Sequence, residues 1–96
     1  MPTHEERPQF RRDFDALTHE QQQAFLSALR RFIADLRRGQ FRAGFRVKRV
    51  QGAAFVWEMT WAPDGRATFE YGSEVRPGEP HVIWRRIGTH DIFRVP

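Results

Sequence analysis

The chain has 96 residues, none of them cysteine, and a formal net charge of +4 from 16 basic and 12 acidic side chains. This length predicts one domain over residues 1–96, with a core at 8–93, and the missing cysteines exclude disulfides and cysteine-ligated zinc. No apolar run approaches the ~20 residues that span a membrane and the acidic N-terminus is unlike a signal peptide, so we expect a cytoplasmic protein without membrane contact.

Two amphipathic helices are predicted in the first half. Pro8 suits the first turn of a helix, where its missing N–H costs nothing. Thr18 opens a second helix with Gln21 placed for a capping box, and Gly39 is placed to end it. The apolar positions recur at helical spacing: Phe10, Phe14 and Leu17, then Phe25, Leu26, Leu29, Phe32, Ile33 and Leu36. A tight link between the helices predicts an antiparallel helical hairpin with one apolar face.

Positive charge is concentrated at the end of the second helix and just after it. Residues 1–48 carry the whole surplus, whereas residues 49–96 are balanced. The basic stripe consists of Arg30, Arg31, Arg37, Arg38, Arg42, Arg46, Lys48 and Arg49. Asp35 is the one acid among them. This concentration suits a phosphate backbone or an acidic protein partner, and a solvated helix face is the alternative for some members.

The second half predicts an antiparallel sheet with turn signals between its strands. The expected strands are Phe45–Lys48, Phe55–Trp61, Arg66–Tyr71 and His81–Ile87. Residues 88–93 close the fold, and residues 94–96 are expected to fray. The predicted fold class is therefore α+β, with the helical hairpin packed on one face of a four-stranded antiparallel sheet.

The register of the central hairpin follows from its apolar pattern. A three-residue loop, Pro63–Gly65, pairs Ala62 with Arg66 and keeps the apolar residues of both strands on one face. It sets Trp61 opposite Ala67, Met59 opposite Phe69, and Trp57 opposite Tyr71. Glu58 then faces Glu70, which is unfavourable unless basic neighbours relieve it. The polar face is either a salt-bridged surface or a working surface on which carboxylate and guanidinium groups converge.

The chemistry that the chain can carry is restricted. The four histidines lack metal-ligand spacing and the two serines lie in no nucleophile motif, so we expect neither a metal nor a small-molecule cofactor. Arginine, lysine, glutamate and histidine can cleave a phosphodiester without metal. His90 follows the last strand at a sheet end, where functional residues are common. The alternative is that Thr89 and His90 cap a turn.

The order and spacing of four segments resemble the RelE/ParE superfamily of type II toxin–antitoxin toxins. These segments are FRRDFDALTHEQQQAFLSALRRFIADLRRGQFRAGFRVKRV, VWEMTW, RATFEY and VIWRRIGTHDIF, and the resemblance covers residues 8–93. RelE-like members cleave mRNA on the ribosome, ParE-like members inhibit DNA gyrase, and an antitoxin neutralises both. The resemblance implies a ribosome-dependent endoribonuclease. A gyrase inhibitor, or an inactive member that binds its antitoxin, remains an alternative.

The resemblance also implies a set of site residues. Arg66 matches the catalytic arginine that opens the third strand of the meander, His90 matches a catalytic group near the last strand, and Glu58 matches the glutamate of a "WE" pattern. The residues expected to bind RNA are Arg46, Lys48, Arg49, Arg85 and Phe93. Two positions depart from the pattern: Thr60, where many relatives carry arginine, and Phe93, where many carry tyrosine.

The mechanism that the resemblance implies is general acid–base transesterification. The 2′-OH attacks the adjacent phosphorus, Arg66 and Lys48 stabilise the phosphorane, and His90 protonates the 5′-oxygen, with Glu58 as the candidate base. The implied partners are mRNA on the ribosome and a cognate antitoxin, whose acidic segment would bind the basic stripe. The early strand common in such toxins is not evident at residues 1–7.

Overall fold

The computed structural model describes residues 2–96 and contains two α-helices and five strands. In chain order these are β1 (Thr3–Glu6), α1 (Pro8–Ala16), α2 (His19–Arg38), a 3₁₀ turn (Ala43–Phe45), β2 (Lys48–Arg49), β3 (Trp57–Ala62), β4 (Gly65–Gly72), β5 (His81–Gly88) and a C-terminal 3₁₀ helix (His90–Arg94). Met1 lies outside the described residues. Within residues 2–96, no helix is long and apolar enough to cross a membrane.

Both predicted helices are confirmed, together with the signals at their ends. Pro8 occupies the first turn of α1. The Thr18 hydroxyl accepts a hydrogen bond from the Gln21 N–H at 3.1 Å, and the Gln21 side-chain oxygen accepts from the Thr18 N–H at 2.8 Å. Gly39 ends α2 in the left-handed conformation, at φ 76°. Short-range chemistry therefore sets these boundaries.

The helices do not pack as the predicted hairpin with one continuous apolar face. α1 packs chiefly along β5, and α2 packs on β3. The two helices meet through aromatic rings, with Phe25 lying 5.9 Å from Phe10 and 6.2 Å from Phe14 between ring centroids. Both helices also contact Trp84 on β5, Phe10 at 5.8 Å and Phe25 at 5.5 Å between ring centroids, so they share one core.

An aromatic core joins α2 to the sheet. The Phe32 ring centroid lies 5.3 Å from those of Phe69 on β4 and Trp84 on β5, and Phe25 meets Trp84 edge-on at 5.5 Å. All four side chains are almost completely buried. Rings of this size supply much of the apolar area that stabilises so short a chain.

The sheet has five strands in the order β1-β5-β4-β3-β2, so the prediction of four antiparallel strands is corrected. β1 pairs in parallel with β5, and the other pairs are antiparallel. The Thr3 N–H donates to the Pro80 carbonyl at 3.0 Å, and the Arg7 N–H donates to the Trp84 carbonyl at 2.9 Å. Residues 3–6 are polar and lack apolar alternation, so this strand depends on its distant partner rather than on a local signal.

The first predicted strand is much shorter than expected. Residues 43–45 form a 3₁₀ turn, Arg46 adopts a left-handed φ of 49°, and β2 spans Lys48 and Arg49 alone. The Phe45 ring is buried 6.0 Å from Phe32, so it enters the core from a turn instead of alternating along a strand.

The predicted hairpin register is also wrong. β3 and β4 are joined by a two-residue turn, with Ala62 paired to Gly65, and a bulge lies between Thr60 and Ala62. The remaining pairs are Thr60 with Arg66, Met59 with Ala67, Glu58 with Thr68, and Trp57 with Phe69. The extra residue of the bulge restores the alternation that a two-residue turn would otherwise break. The apolar face therefore survives in a different register.

Glu58 and Glu70 consequently do not face each other. Glu58 pairs with Thr68, whereas the Glu70 carboxylate accepts hydrogen bonds from Arg7, at 3.2 Å, and from Arg85. Burial alone would raise the pKa of Glu70, but the two guanidinium groups hold it below its ordinary value. Part of the polar face is thus a salt-bridged surface.

The last residues are held rather than frayed. The Pro96 carbonyl accepts hydrogen bonds from the Thr68 hydroxyl at 2.9 Å and from Arg85 Nε at 3.2 Å, and Arg86 donates to the Val95 carbonyl at 2.9 Å. Thr68 is completely buried. The C-terminal segment therefore lies against the polar face of β4 and β5, at Thr68, Arg85 and Arg86.

Replacing Gly65 by alanine should lower the free energy of unfolding by about 1–3 kcal/mol, because the site is already filled. A Cβ at Gly65 would lie 2.6 Å from the Trp61 ring. Urea unfolding compares this variant with Gly44→Ala, where the added methyl group meets nothing within 4 Å. Equal unfolding midpoints for the two variants would contradict the expected clash.

Candidate active site

A pocket of about 450 Å³ lies between the β2–β3 hairpin and the C-terminal 3₁₀ helix. It is lined by Lys48, Arg49, Val50, Gln51, Glu58, His90 and Phe93. Four segments meet here: β2, the turn after it, β3 and the C-terminal 3₁₀ helix. All of them except the turn carry residues that the sequence predicts for the site. The pocket holds cations, a carboxylate, an imidazole and an aromatic ring within one concave surface.

The β2–β3 ladder positions the charged wall of this pocket. Lys48 pairs directly with Glu58, so their side chains project from the same face about 5 Å apart at Cβ. Glu58 is half-buried and Lys48 is exposed. The neighbouring Arg49 guanidinium lies over the Trp57 ring, 5.3 Å from its centroid. An ammonium group and a carboxylate therefore stand side by side on one face of the ladder, and Arg49 pairs with Trp57 on the other face.

The C-terminal 3₁₀ helix presents the opposite wall. Thr89 caps this helix, and its hydroxyl accepts a hydrogen bond from the Asp91 N–H at 3.4 Å. His90 is exposed, and its ring stands edge-on to Phe93 with the centroids 5.2 Å apart. The cap is thus supplied by Thr89, which leaves the His90 imidazole at the pocket as a possible proton donor.

Three of the expected site residues do not line the pocket. Arg66 pairs with Gly88 in the β4–β5 ladder, and its guanidinium donates to the carbonyls of Ala62, Pro63 and Gly65 at 3.3, 3.3 and 3.0 Å. Arg85 is bonded to Glu70 and to the Pro96 carbonyl. Arg46 lies at the end of the 3₁₀ turn. The structure therefore brings together Lys48, Arg49, Glu58, His90 and Phe93.

Gln51 and Val50 line the pocket but were not among the expected site residues. In the sequence, Gln51 and Gly52 indicate a turn, and Gly52 does adopt a left-handed φ of 82°. The feature of the sequence that could have identified Val50 and Gln51 is their position directly after Lys48 and Arg49. A glutamine amide at this place can both donate and accept hydrogen bonds.

The basic stripe is divided by a buried carboxylate. Asp35 is completely buried and accepts hydrogen bonds from Arg38 and Arg42. The hydrogen bonds from Arg42 outweigh burial and hold the pKa of Asp35 well below its usual range. Arg38 and Arg42 are therefore paired with Asp35 from the surface, whereas Lys48 and Arg49 line the pocket.

Within residues 2–96, no group of three or more histidine, aspartate or glutamate side chains is placed to hold a metal ion.

The fold is shared with solved structures of bacterial toxins. The toxin in the Escherichia coli DinJ–YafQ toxin–antitoxin complex superposes with a TM-score of 0.69 at 14% identity, over 94% of this chain and 93% of that one. YafQ from E. coli BL21(DE3) gives 0.63 at 14% identity, over 95% and 96%. A copper-bound mutant toxin from Helicobacter pylori gives 0.64 at 20% identity, over 95% and 97%.

These likenesses confirm the expected α+β fold class over nearly the whole length of the chain. The sequence itself matches no protein-family model and no curated protein. At 14–20% identity, what is shared is the arrangement of helices and strands.

Proposed function

We propose that this chain is the toxin of a type II toxin–antitoxin module and cleaves mRNA on the ribosome without a metal ion. The observation that carries the proposal is the pocket, where His90, Glu58 and Lys48 converge beside Phe93. Acid, base, cation and aromatic ring are the groups that RNA transesterification and base stacking require. The likeness to toxin structures supports the same assignment.

The proposed reaction uses the side chains of the pocket in distinct roles. Glu58 accepts the proton of the 2′-OH as its oxygen bonds to the adjacent phosphorus. Lys48 neutralises the charge that develops on the non-bridging oxygens, and Arg49 adds to this once its guanidinium leaves the Trp57 ring. His90 protonates the 5′-oxygen as its bond to phosphorus breaks. The products are a 2′,3′-cyclic phosphate and a 5′-hydroxyl.

Arg66 takes part in this proposal under one condition. Its guanidinium has to leave the three turn carbonyls of Ala62, Pro63 and Gly65 before it can bind a phosphate. Phe93 has the simpler role of stacking on a base next to His90, with which it is already in contact. Arg46 and Arg85 are proposed as peripheral phosphate ligands.

We further propose a cognate antitoxin as protein partner, with the basic stripe from Arg30 to Arg49 as its landing site. Two of the similar structures are toxin–antitoxin complexes of YafQ with DinJ. An acidic segment that folds on binding would complement the exposed arginines of this stripe. Both proposed partners, ribosome and antitoxin, place the chain in the cytoplasm.

The direct test is cleavage of a defined mRNA on programmed ribosomes by the purified chain. Primer extension should locate the cuts, and the 3′ fragments should carry 5′-hydroxyl ends. Intact mRNA together with inhibition of gyrase supercoiling would contradict the nuclease and support the ParE-like alternative. Intact mRNA and unaffected gyrase would leave antitoxin binding as the remaining activity.

Replacing Lys48 by glutamine should weaken RNA binding in a salt-dependent way. Loss of one phosphate contact should lower the slope of log K against log [NaCl] by about 0.7 for single-stranded RNA. Fluorescence anisotropy with a 2′-O-methyl RNA, which cannot be cleaved, measures this slope. Arg12→Gln is the matched control, because this exposed arginine on α1 bonds to Gln9 outside the pocket. Identical slopes for both variants would contradict the role of Lys48.

A further inference from the structure

The most exposed large apolar side chain among the described residues belongs to Phe55, which is 83% exposed. It lies in the turn between β2 and β3, and it contributes nothing to the core. An exposed aromatic ring indicates a binding site when the backbone that carries it is ordered and the residues around it can bind the same ligand. Both conditions hold here.

The turn that carries Phe55 is held by its own backbone. The Val50 N–H donates to the Val56 carbonyl at 2.8 Å, the Ala53 N–H donates to the Val50 carbonyl at 3.2 Å, and the Val56 N–H donates to the Ala53 carbonyl at 3.1 Å. Val50 and Val56 are both buried. The ring is thus displayed on an ordered turn, so that little entropy is lost when it meets a partner.

The same turn forms one wall of the candidate active site. The bond between Val50 and Val56 sets Gln51 and Phe55 across from each other at the neck of the turn. Gln51 lines the pocket together with Lys48 and Arg49, which precede it in the chain. Phe55 lies in the same turn as the pocket residue Gln51, and Phe93 lines the pocket from the other wall.

We propose that Phe55 stacks on a nucleobase of the bound RNA, one nucleotide away from the scissile phosphodiester, on the side opposite Phe93. This inference rests on the proposed endoribonuclease function and adds a second base-binding position to it. Aromatic rings interleaved with cations are the usual surface for single-stranded nucleic acid, because every base offers a face to stack on. Gln51 can bond the edge of the same base.

The test uses a 2′-O-methyl hexanucleotide in which 2-aminopurine, whose fluorescence falls on stacking, replaces one base at a time. With the wild-type chain, binding should quench the probe at one position on each side of the central phosphate. Phe55→Ala should remove one of these two quenches and weaken binding about ten-fold. Phe55→Trp should retain both quenches.

Val75→Ala is the matched control, since Val75 is 65% exposed on the loop between β4 and β5. It should bind and quench like the wild type. Because Phe55 makes no core contact, its alanine variant should also keep the wild-type Tm, which shows that the fold is retained.

The outcomes separate this inference from the proposed function. If the wild-type chain cleaves ribosome-bound mRNA and Phe55→Ala changes neither the quenching nor kcat/KM, the stacking position is overturned. The nuclease function then stands. Two quenches by a wild-type chain that cuts no mRNA support the base-binding position and overturn the nuclease. Unchanged RNA quenching with lost antitoxin binding in Phe55→Ala makes the ring a protein contact and overturns the inference.

Discussion

Replacing His90 by alanine should slow cleavage of ribosome-bound mRNA by about 10²- to 10⁴-fold, which is the usual contribution of a positioned proton donor. The 5′-oxygen would then leave as an alkoxide, without a proton. Stability should be unaffected, because the His90 ring is exposed and its ring contact is with Phe93 at the surface. Growth arrest on expression should disappear together with the cleavage.

Single-turnover cleavage on programmed ribosomes measures this effect free of product release. His19→Ala is the control, because His19 is an exposed histidine in the first turn of α2 and does not line the pocket. Retained antitoxin binding by His90→Ala shows that the fold is intact. A cleavage rate equal to that of wild type would remove His90 from the mechanism.

Replacing Asp35 by alanine should lower the Tm by about 10 °C, because the backbone N–H of Arg42 and the guanidinium groups of Arg38 and Arg42 lose a completely buried acceptor. Arg42 donates to this carboxylate through its backbone N–H at 3.0 Å and its guanidinium at 2.8 Å, and Arg38 donates at 2.6 Å. These bonds tie the end of α2 to the segment that leads into β2. Asp15→Ala, which removes an exposed i,i+4 pair with Arg11, should leave the Tm almost unchanged.

The Asp35 contribution should also have a defined pH dependence. The pKa of Asp35 is lowered in the folded chain, chiefly by hydrogen bonds from Arg42. Its stabilisation is therefore present above the ordinary carboxyl pKa of about 4 and is lost as pH falls through the lower folded value. The Tm difference between wild type and Asp35→Asn should stay constant from about pH 7 to 5 and shrink below about pH 4. A difference that grew on acidification would contradict this linkage.

The parts of the fold that sequence predicts well depend on neighbours in the chain. Thr18, Gln21 and Gly39 define their helix through contacts within four residues, and both helices lie where these signals predict. β1 pairs with residues 78 positions away, as in the contact of Thr3 with His81. No local pattern encodes that pairing, so the strand was missed.

The β3–β4 hairpin and the candidate site also combine features set by local sequence with features set by contacts elsewhere in the fold. Alternation correctly assigned Met59 and Phe69 to the buried face, but it could not reveal that a bulge near Trp61 replaces the third loop residue. Among the expected site residues, the pocket gathers Lys48 and Glu58 from one strand pair, and His90 and Phe93 from the C-terminal 3₁₀ helix. The guanidinium of Arg66 has four rotatable bonds, and its course back to the turn carbonyls is decided by packing that a sequence pattern does not contain.

The pairing of β1 with β5 has a consequence for how the chain is made. β1 can pair only after residues 81–84 have been synthesised, and the pocket can form only after residues 90 and 93 have been synthesised. Synthesis adds about 5–20 residues per second, and pairing between distant segments closes late in folding. A nascent chain that has passed β4 holds its helices but neither its completed sheet edge nor its pocket. The sheet edge and the pocket are therefore completed together, when the last sixth of the chain, from residue 81 onward, is made.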